Sequence, residues 1–144
     1  MLAVACDHGG YALKGRIIGL LAERNIPFAD EGCGGERVDY PDYAGKVCRG
    51  IADGTYDRGI LICGTGLGMS IAANKYPGIR AALCADCFSA QMAREHNDAN
   101  VLCLGGRTLG PELAAKITQT WLDTPFSGAE SHSRRIAMLA ELDR

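Results

Sequence analysis

Long apolar runs are missing from this chain. No stretch approaches the roughly 18 residues that a membrane-spanning helix needs. An excess of either charge is missing too. Lys and Arg number 15 against 17 Asp and Glu, a formal net charge of −2, which argues against a polyanionic partner such as nucleic acid. The first ten residues, MLAVACDHGG, have no basic start and no long apolar core, so they do not read as a secretory signal. Seven cysteines make an odd count in 144 residues. None sits in a small disulfide-dense frame, and the expectation is a reducing cytoplasm with free thiols. Aromatics are few, at 6%. What is abundant is glycine, 19 residues, in a chain that is 47% hydrophobic. That mixture suits one α/β domain over residues 1–144 with many tight strand–helix turns.

Strand-like and helix-like segments alternate. LAVAC (2–6), IPFAD (26–30), GILIC (59–63), AALCA (81–85) and VLCLG (101–105) read as short buried strands. Between them, Leu13, Ile17, Leu20 and Leu21 recur at helical spacing, as do Ala44, Val47, Cys48 and Ile51. Helices are also expected over 68–76, 89–95, 111–122 and 134–142. Proline stands near the start of the second helix, at Pro41, and opens the fifth, at Pro111. Such alternation predicts βαβ units, right-handed crossovers and a parallel sheet covered on both faces. The fold class is therefore a three-layer α/β/α sandwich, Rossmann-like, with five parallel strands and a C-terminal helix. The commonest strand order, 2-1-3-4-5, is expected. Its switch point lies between the first and third strands, where ligands bind at the carboxyl ends.

Two polar, glycine-rich tips would meet there: Cys6-Asp7-His8-Gly9-Gly10, and Cys63-Gly64-Thr65-Gly66-Leu67-Gly68. The second is no Walker loop, because G-x-x-x-x-G-K-[ST] is absent. It is a poor dinucleotide fingerprint as well, since Met69 stands where the last glycine should be. It reads either as a nest of backbone N–H groups for an oxyanion or phosphate, or as a tight turn that needs glycine for its backbone angles. A thiol at such a helix entrance, Cys63, is a candidate nucleophile or base. Cys6, Cys48, Cys84 and Cys103 read as small core residues. Cys84 and Cys87 form a lone C-x-x-C without a second pair at zinc spacing, so no metal site is expected. His8 and His96 stand at element ends and read as functional, whereas His132, between two serines, reads as solvated surface. Arg107 follows the fifth strand directly. Arg134 and Arg135 open the last helix, where arginines suit phosphate but are often plain surface.

These residues resemble the type B ribose-5-phosphate isomerases, the family that also includes the galactose-6-phosphate isomerase subunits. The resemblance rests on CDHGGYALK (6–14), DYPDYA (39–44), ICGTGLGMSIAANKYPGIRAA (62–82), SAQMAREHNDANVLCLGGR (89–107) and SRRI (133–136). It implies interconversion of an aldose phosphate and a ketose phosphate without metal or other cofactor. By that resemblance Cys63 is the base between C1 and C2, Thr65 handles a hydroxyl proton, and His96 opens the furanose ring. Gly64, Gly66, Leu67, Gly68, Met69 and Ser70 offer oxyanion donors. Asp7, Tyr40 and Asn97 contact the sugar, and His8, Arg107 and Arg134 or Arg135 clamp the phosphate. It also implies a homodimer or tetramer with a composite site, and neither nucleic-acid nor membrane partners.

One departure bears on the substrate. Family members acting on ribose 5-phosphate commonly carry G-G-[RK]-H-x-x-R before the last helix. Here Glu130 or Ser131 replaces the first basic residue, which leaves a 6-phosphohexose as the alternative substrate. A non-catalytic sugar-phosphate-binding subunit is a rival that the Cys63, Thr65 and His96 set disfavours, and a flavodoxin-like redox or nucleotide module is one that the missing fingerprint and the lone C-x-x-C disfavour.

Overall fold

A computed structural model describes residues 1–143. The elements are β1 (Leu2–Cys6), α1 (Tyr11–Glu23), β2 (Phe28–Asp30), α2 (Tyr40–Ala52), β3 (Arg58–Cys63), α3 (Leu67–Ala73), β4 (Ala81–Leu83), α4 (Cys87–Glu95), β5 (Val101–Gly105), α5 (Pro111–Asp123) and α6 (Glu130–Glu141). β1 and β5 are buried at every position, as apolar central strands covered on both faces must be. β2 is shorter than the apolar run suggests, because the Ile26 N–H still donates to Leu21 O and closes the end of α1. α4 starts where the Asp86 carboxylate accepts the Ser89 amide at 2.7 Å, an N-cap. Proline stands in the first turn of both α2 and α5, where its missing N–H costs nothing.

All strand pairs are parallel. The five-stranded α/β/α sandwich and its switch point between β1 and β3 are as expected. The order is not. It runs β2-β1-β3-β5-β4, so the last two strands exchange places relative to 2-1-3-4-5. Composition explains the exchange. β5 is five apolar or glycine residues with no exposed position, whereas β4 is three residues, two half-buried and one exposed. The short, partly wet strand takes the edge and the longer dry one takes the interior.

Handedness fits the same arrangement. α2 and α3 pack on one face of the sheet, through Ala44, Val47, Cys48, Met69 and Ala73 against Ala3, Ala5, Leu61 and Cys103. α1, α4 and α5 pack on the other, through Ile17, Leu21, Ala90, Ile117 and Trp121 against Val4, Ile60, Ile62 and Leu102. A right-handed crossover changes face when the chain reverses its direction across the sheet. β3 to β4 steps outward with α3 on one face, and β4 to β5 steps back with α4 on the other. α6 buries no residue.

The carboxyl ends of β1 and β3 approach backbone to backbone. A methyl group added at Gly10 would enter the Ile62 carbonyl and lie 2.7 Å from Ile62 Cγ2. Gly15, within α1, has nothing within 4 Å of such a methyl. Gly10→Ala should therefore lower the unfolding free energy by about 2 kcal/mol. Gly15→Ala should raise it by about 0.5–1 kcal/mol. Urea denaturation of both variants checks the pair, and equal effects would contradict the packing described.

Candidate active site

Cys63 ends β3 and is 4% exposed. Its sulfur accepts the Gly66 amide at 3.1 Å. Gly66 takes the left-handed conformation, φ 80°, and a side chain there would meet Leu104 backbone carbon at 3.0 Å. Only glycine turns the chain there and brings its amide back onto the sulfur. Beyond it the Leu67 amide donates to Thr65 Oγ1 at 3.2 Å, and Ser70 N to Gly66 O at 3.0 Å. Among the described residues, the amides of Gly64, Thr65, Gly68 and Met69 donate to no protein acceptor. They form a row of free donors beside the sulfur. Two side chains in this stretch face elsewhere. Met69 is wholly buried in the core, and the Ser70 hydroxyl donates to Leu67 O at 3.0 Å. Of these two residues, Met69 brings its amide to the loop. Leu67 is 53% exposed.

Asp7 follows β1 and is buried, with Oδ1 accepting the amides of Gly9 at 2.8 Å and Gly10 at 3.2 Å. This fixes the carboxylate as the cap of a single 3-10 turn over His8–Gly10. His8 is exposed, and its Nδ1 accepts the Val38 amide at 3.4 Å. The segment between β2 and α2 is also held from below. Buried Lys14 donates to Cys33 O at 2.7 Å and to Asp30 Oδ1 at 2.8 Å. That segment delivers Tyr40, whose ring lies against Gly68, 2.6 Å from where a methyl on it would sit.

Arg107 completes this group. Because β5 neighbours β3, Cys63 is in register with Gly105, and Arg107 N donates to Gly64 O at 2.8 Å. The arginine side chain lies over Gly64, with Nε and Nη1 3.6 Å from a would-be Cβ. The strand order expected from sequence would have put Arg107 toward the sheet edge. The observed order brings it to the crevice.

His96 and Asn97 are elsewhere. They follow α4 and precede β5, at the opposite end of the sheet from Cys63. The length of β5 alone separates those ends by roughly 13 Å. Asn97 O accepts from Arg80 Nε at 3.0 Å. His96 is stacked on His132, with ring centroids 4.1 Å apart and planes 13° from parallel. His132 is thus no solvated surface histidine. The sequence did carry a signal: His132, Ile136 and Leu139 recur at helical spacing, and Ile136 and Leu139 line a cavity between α6 and β4 of about 440 Å³. Arg134 and Arg135 stand exposed on α6, and Arg134 Nε lies 4.0 Å from Glu130 Oε1.

All seven thiols are free. Burial pushes Cys6 and Cys48 up to about 12 and Cys84 to about 11, and raises Cys103 well above its usual value. These four are protonated core residues at neutral pH. Cys6 and Cys33 sulfurs lie 3.9 Å apart.

The fold and crevice define a class: a Rossmann-like α/β protein with a thiol and free amides at its switch point, built to receive a small oxygen-rich anion. Comparison with known proteins narrows this. The sequence profile of the Ribose/Galactose Isomerase family matches residues 2–139, and the chain belongs to that family. It is 46% identical over 144 residues to ribose-5-phosphate isomerase B of Escherichia coli strain K12, covering 99% of this chain and 96% of that one. It is 46% identical over 132 residues to D-erythrulose-4-phosphate isomerase of Pectobacterium atrosepticum, covering 90% and 87%. The solved ribose-5-phosphate isomerase B of Clostridium thermocellum superposes with a TM-score of 0.95 at 50% identity, over 98% of this chain and 95% of that one.

The crevice geometry predicts that inorganic phosphate binds among the loop amides, His8 and Arg107. Arg107→Ala should weaken it by about tenfold or more, the loss of one charged hydrogen bond. Amide chemical-shift titration should move Gly64, Thr65 and Gly68 in the parent protein. Unchanged affinity in the variant would place the anion away from Arg107.

Proposed function

We propose that this protein interconverts an aldose phosphate and a ketose phosphate, with ribose 5-phosphate as the first substrate to test. The observation that carries this is the Cys63 sulfur set beside four unpartnered amides, in a chain of this family. The Cys63 thiolate takes the proton from C2 of the open-chain aldose. The resulting enediolate oxygens are met by the amides of Gly64, Thr65, Gly68 and Met69. Thr65 Oγ1 already accepts the Leu67 amide, so its own proton is free to serve the hydroxyl exchange between O2 and O1. Cys63 then returns its proton to C1, and the ketose leaves with no net gain or loss of protons. Asp7, whose Oδ1 is held by two amides, uses Oδ2 for a sugar hydroxyl, and Tyr40 flanks the ring. His8 and Arg107 bind the phosphate. Glu130 draws Arg134 to itself, which leaves Arg135 as the arginine that α6, lying beside His96, offers to the phosphate in the site of a second copy. Neither metal nor other cofactor takes part.

His96 and Asn97 serve the site of a second copy. Their place at the far end of the sheet supports this, because a small sugar phosphate cannot reach both ends of one subunit. Exposed apolar residues beside the crevice support it as well, with Leu67, Ile71 and Phe88 53%, 61% and 70% exposed. Under a two-fold axis that surface would be covered twice. The working unit is then a homodimer or a tetramer, in the cytoplasm.

The departure at Glu130 and Ser131 keeps a second substrate in view, a phosphosugar of another length, and a metal-free panel of tetrose, pentose and hexose phosphates tests it. Cys63→Ser should keep the fold and sugar-phosphate binding while lowering kcat by at least about a hundredfold, since a hydroxyl is almost never ionised at neutral pH. Turnover near the parent value would remove Cys63 from the role of base. For the shared site, inactive Cys63→Ala and His96→Ala subunits are mixed and allowed to exchange. Random pairing makes half the dimers mixed, each with one intact site, so about a quarter of the parent activity should return. A sample shown by mass to have exchanged, yet still inactive, would place both residues in one chain's site.

A further inference from the structure

His96 ends α4 with its backbone N–H donating to Met92 O at 2.9 Å, but among the described residues no hydrogen bond reaches either nitrogen of its ring. What fixes the plane of that ring is the stack on His132. The contact is built rather than accidental. The Ser127 amide donates to Glu95 O at 3.1 Å, which clamps the connector between α5 and α6 to the residue preceding His96. The Ala129 amide donates to Ser127 Oγ at 3.2 Å, and His132 N to Ala129 O at 3.1 Å. This chain of bonds starts α6 where His132, two residues in, lies on His96. Farther along, α6 is held by Asp143 Oδ2, which accepts the Gly78 amide at 2.7 Å, and by Ile136 and Leu139 over the cavity beside β4. None of its residues is buried.

We propose that His132 is a positioning residue that holds the His96 imidazole, by stacking, in the orientation needed for ring opening of the cyclic substrate. The inference rests on the reading of His96 given above. In that step His96 gives a proton to the ring oxygen as the bond from C1 to that oxygen breaks. The anomeric hydroxyl passes its proton to solvent, from which His96 is reprotonated, and becomes the carbonyl. The ring nitrogen must therefore point at one oxygen, and a ring free to rotate at the end of α4 spends little time so aligned. Offset-stacked aromatic rings resist that rotation. α6 thus contributes orientation through His132, and its arginine acts separately on the phosphate.

The test uses full-length protein and two substitutions. His132→Ala removes the stack. His132→Phe keeps a flat ring and discards both nitrogens. On ribose 5-phosphate, His132→Ala should lower kcat about five- to tenfold with KM within about twofold, and His132→Phe should restore kcat to within about twofold of the parent. In a His96→Asn background, His132→Ala should bring no further loss. On erythrose 4-phosphate, which cannot close a furanose ring, neither His132 variant should differ from the parent. A neutral His132→Ala, or a loss that Phe does not repair, overturns the inference, the second outcome by assigning His132 proton transfer or phosphate binding of its own. A further loss in the His96→Asn background overturns it as well. Failure of the underlying reading appears separately: His96→Asn would then impair both substrates alike, and the inference falls with it.

Discussion

The whole site depends on how closely three turns approach one another at the carboxyl ends of β1, β3 and β5. The turn after β1 lies on the Ile62 carbonyl, with no room for a side chain at Gly10. The turn after β5 lies on the first, where a methyl at Gly106 would stand 2.5 Å from Gly9 O. Backbone bonds continue past the strands, from Gly106 N to Cys63 O and from Arg107 N to Gly64 O, both 2.8 Å. Three loops that would otherwise move independently become one rigid rim. The Cys63 sulfur therefore has fixed neighbours, and the free amides beside it are oriented before any ligand arrives. Electrostatic stabilisation of that kind needs no reorganisation at the moment of reaction.

The same fold keeps two groups of polar residues apart. A parallel sheet sends its strand-to-helix turns to one end and its helix-to-strand turns to the other. Cys63 ends a strand, and Asp7 and Arg107 follow strands, so all reach the first end. His96 and Asn97 follow a helix, so they reach the second, whatever the order of strands. Distance along the strands, and not across the sheet, separates the two groups. The shared site proposed above would join them through a second copy that presents its helix-to-strand end to the crevice of the first.

The helix that anchors one of these ends is the least buried of the six. α6 holds on through a two-residue connector clamp, an imidazole stack and a few apolar contacts over a cavity. An element so lightly held can shift, with its exposed Arg135, without disturbing the core. The buried lysine under the crevice is the opposite case. Lys14 ties the β2–α2 segment to the body through Asp30 and Cys33, so Tyr40 arrives over Gly68 on a fixed support.

Much of this was legible in the amino-acid sequence. Apolar strands alternating with helical spacing determine a parallel α/β sandwich, because each pattern can bury its face in only one way. Glycines at the tips of the first and third strands, with Asp7 and Cys63 among them, mark the switch point, because contact there is local to each turn. The tertiary structure alone decided the exchange of β4 and β5. That exchange depends on which strand is drier on both faces and on which face α4 packs, and both are properties of the assembled sheet. The place of Arg107 beside Cys63 follows from it. Helical spacing turns His132 inward with Ile136 and Leu139, but the stack of His132 on His96 joins residues of two separate segments, through a connector clamped to Glu95, and only the folded chain brings them together.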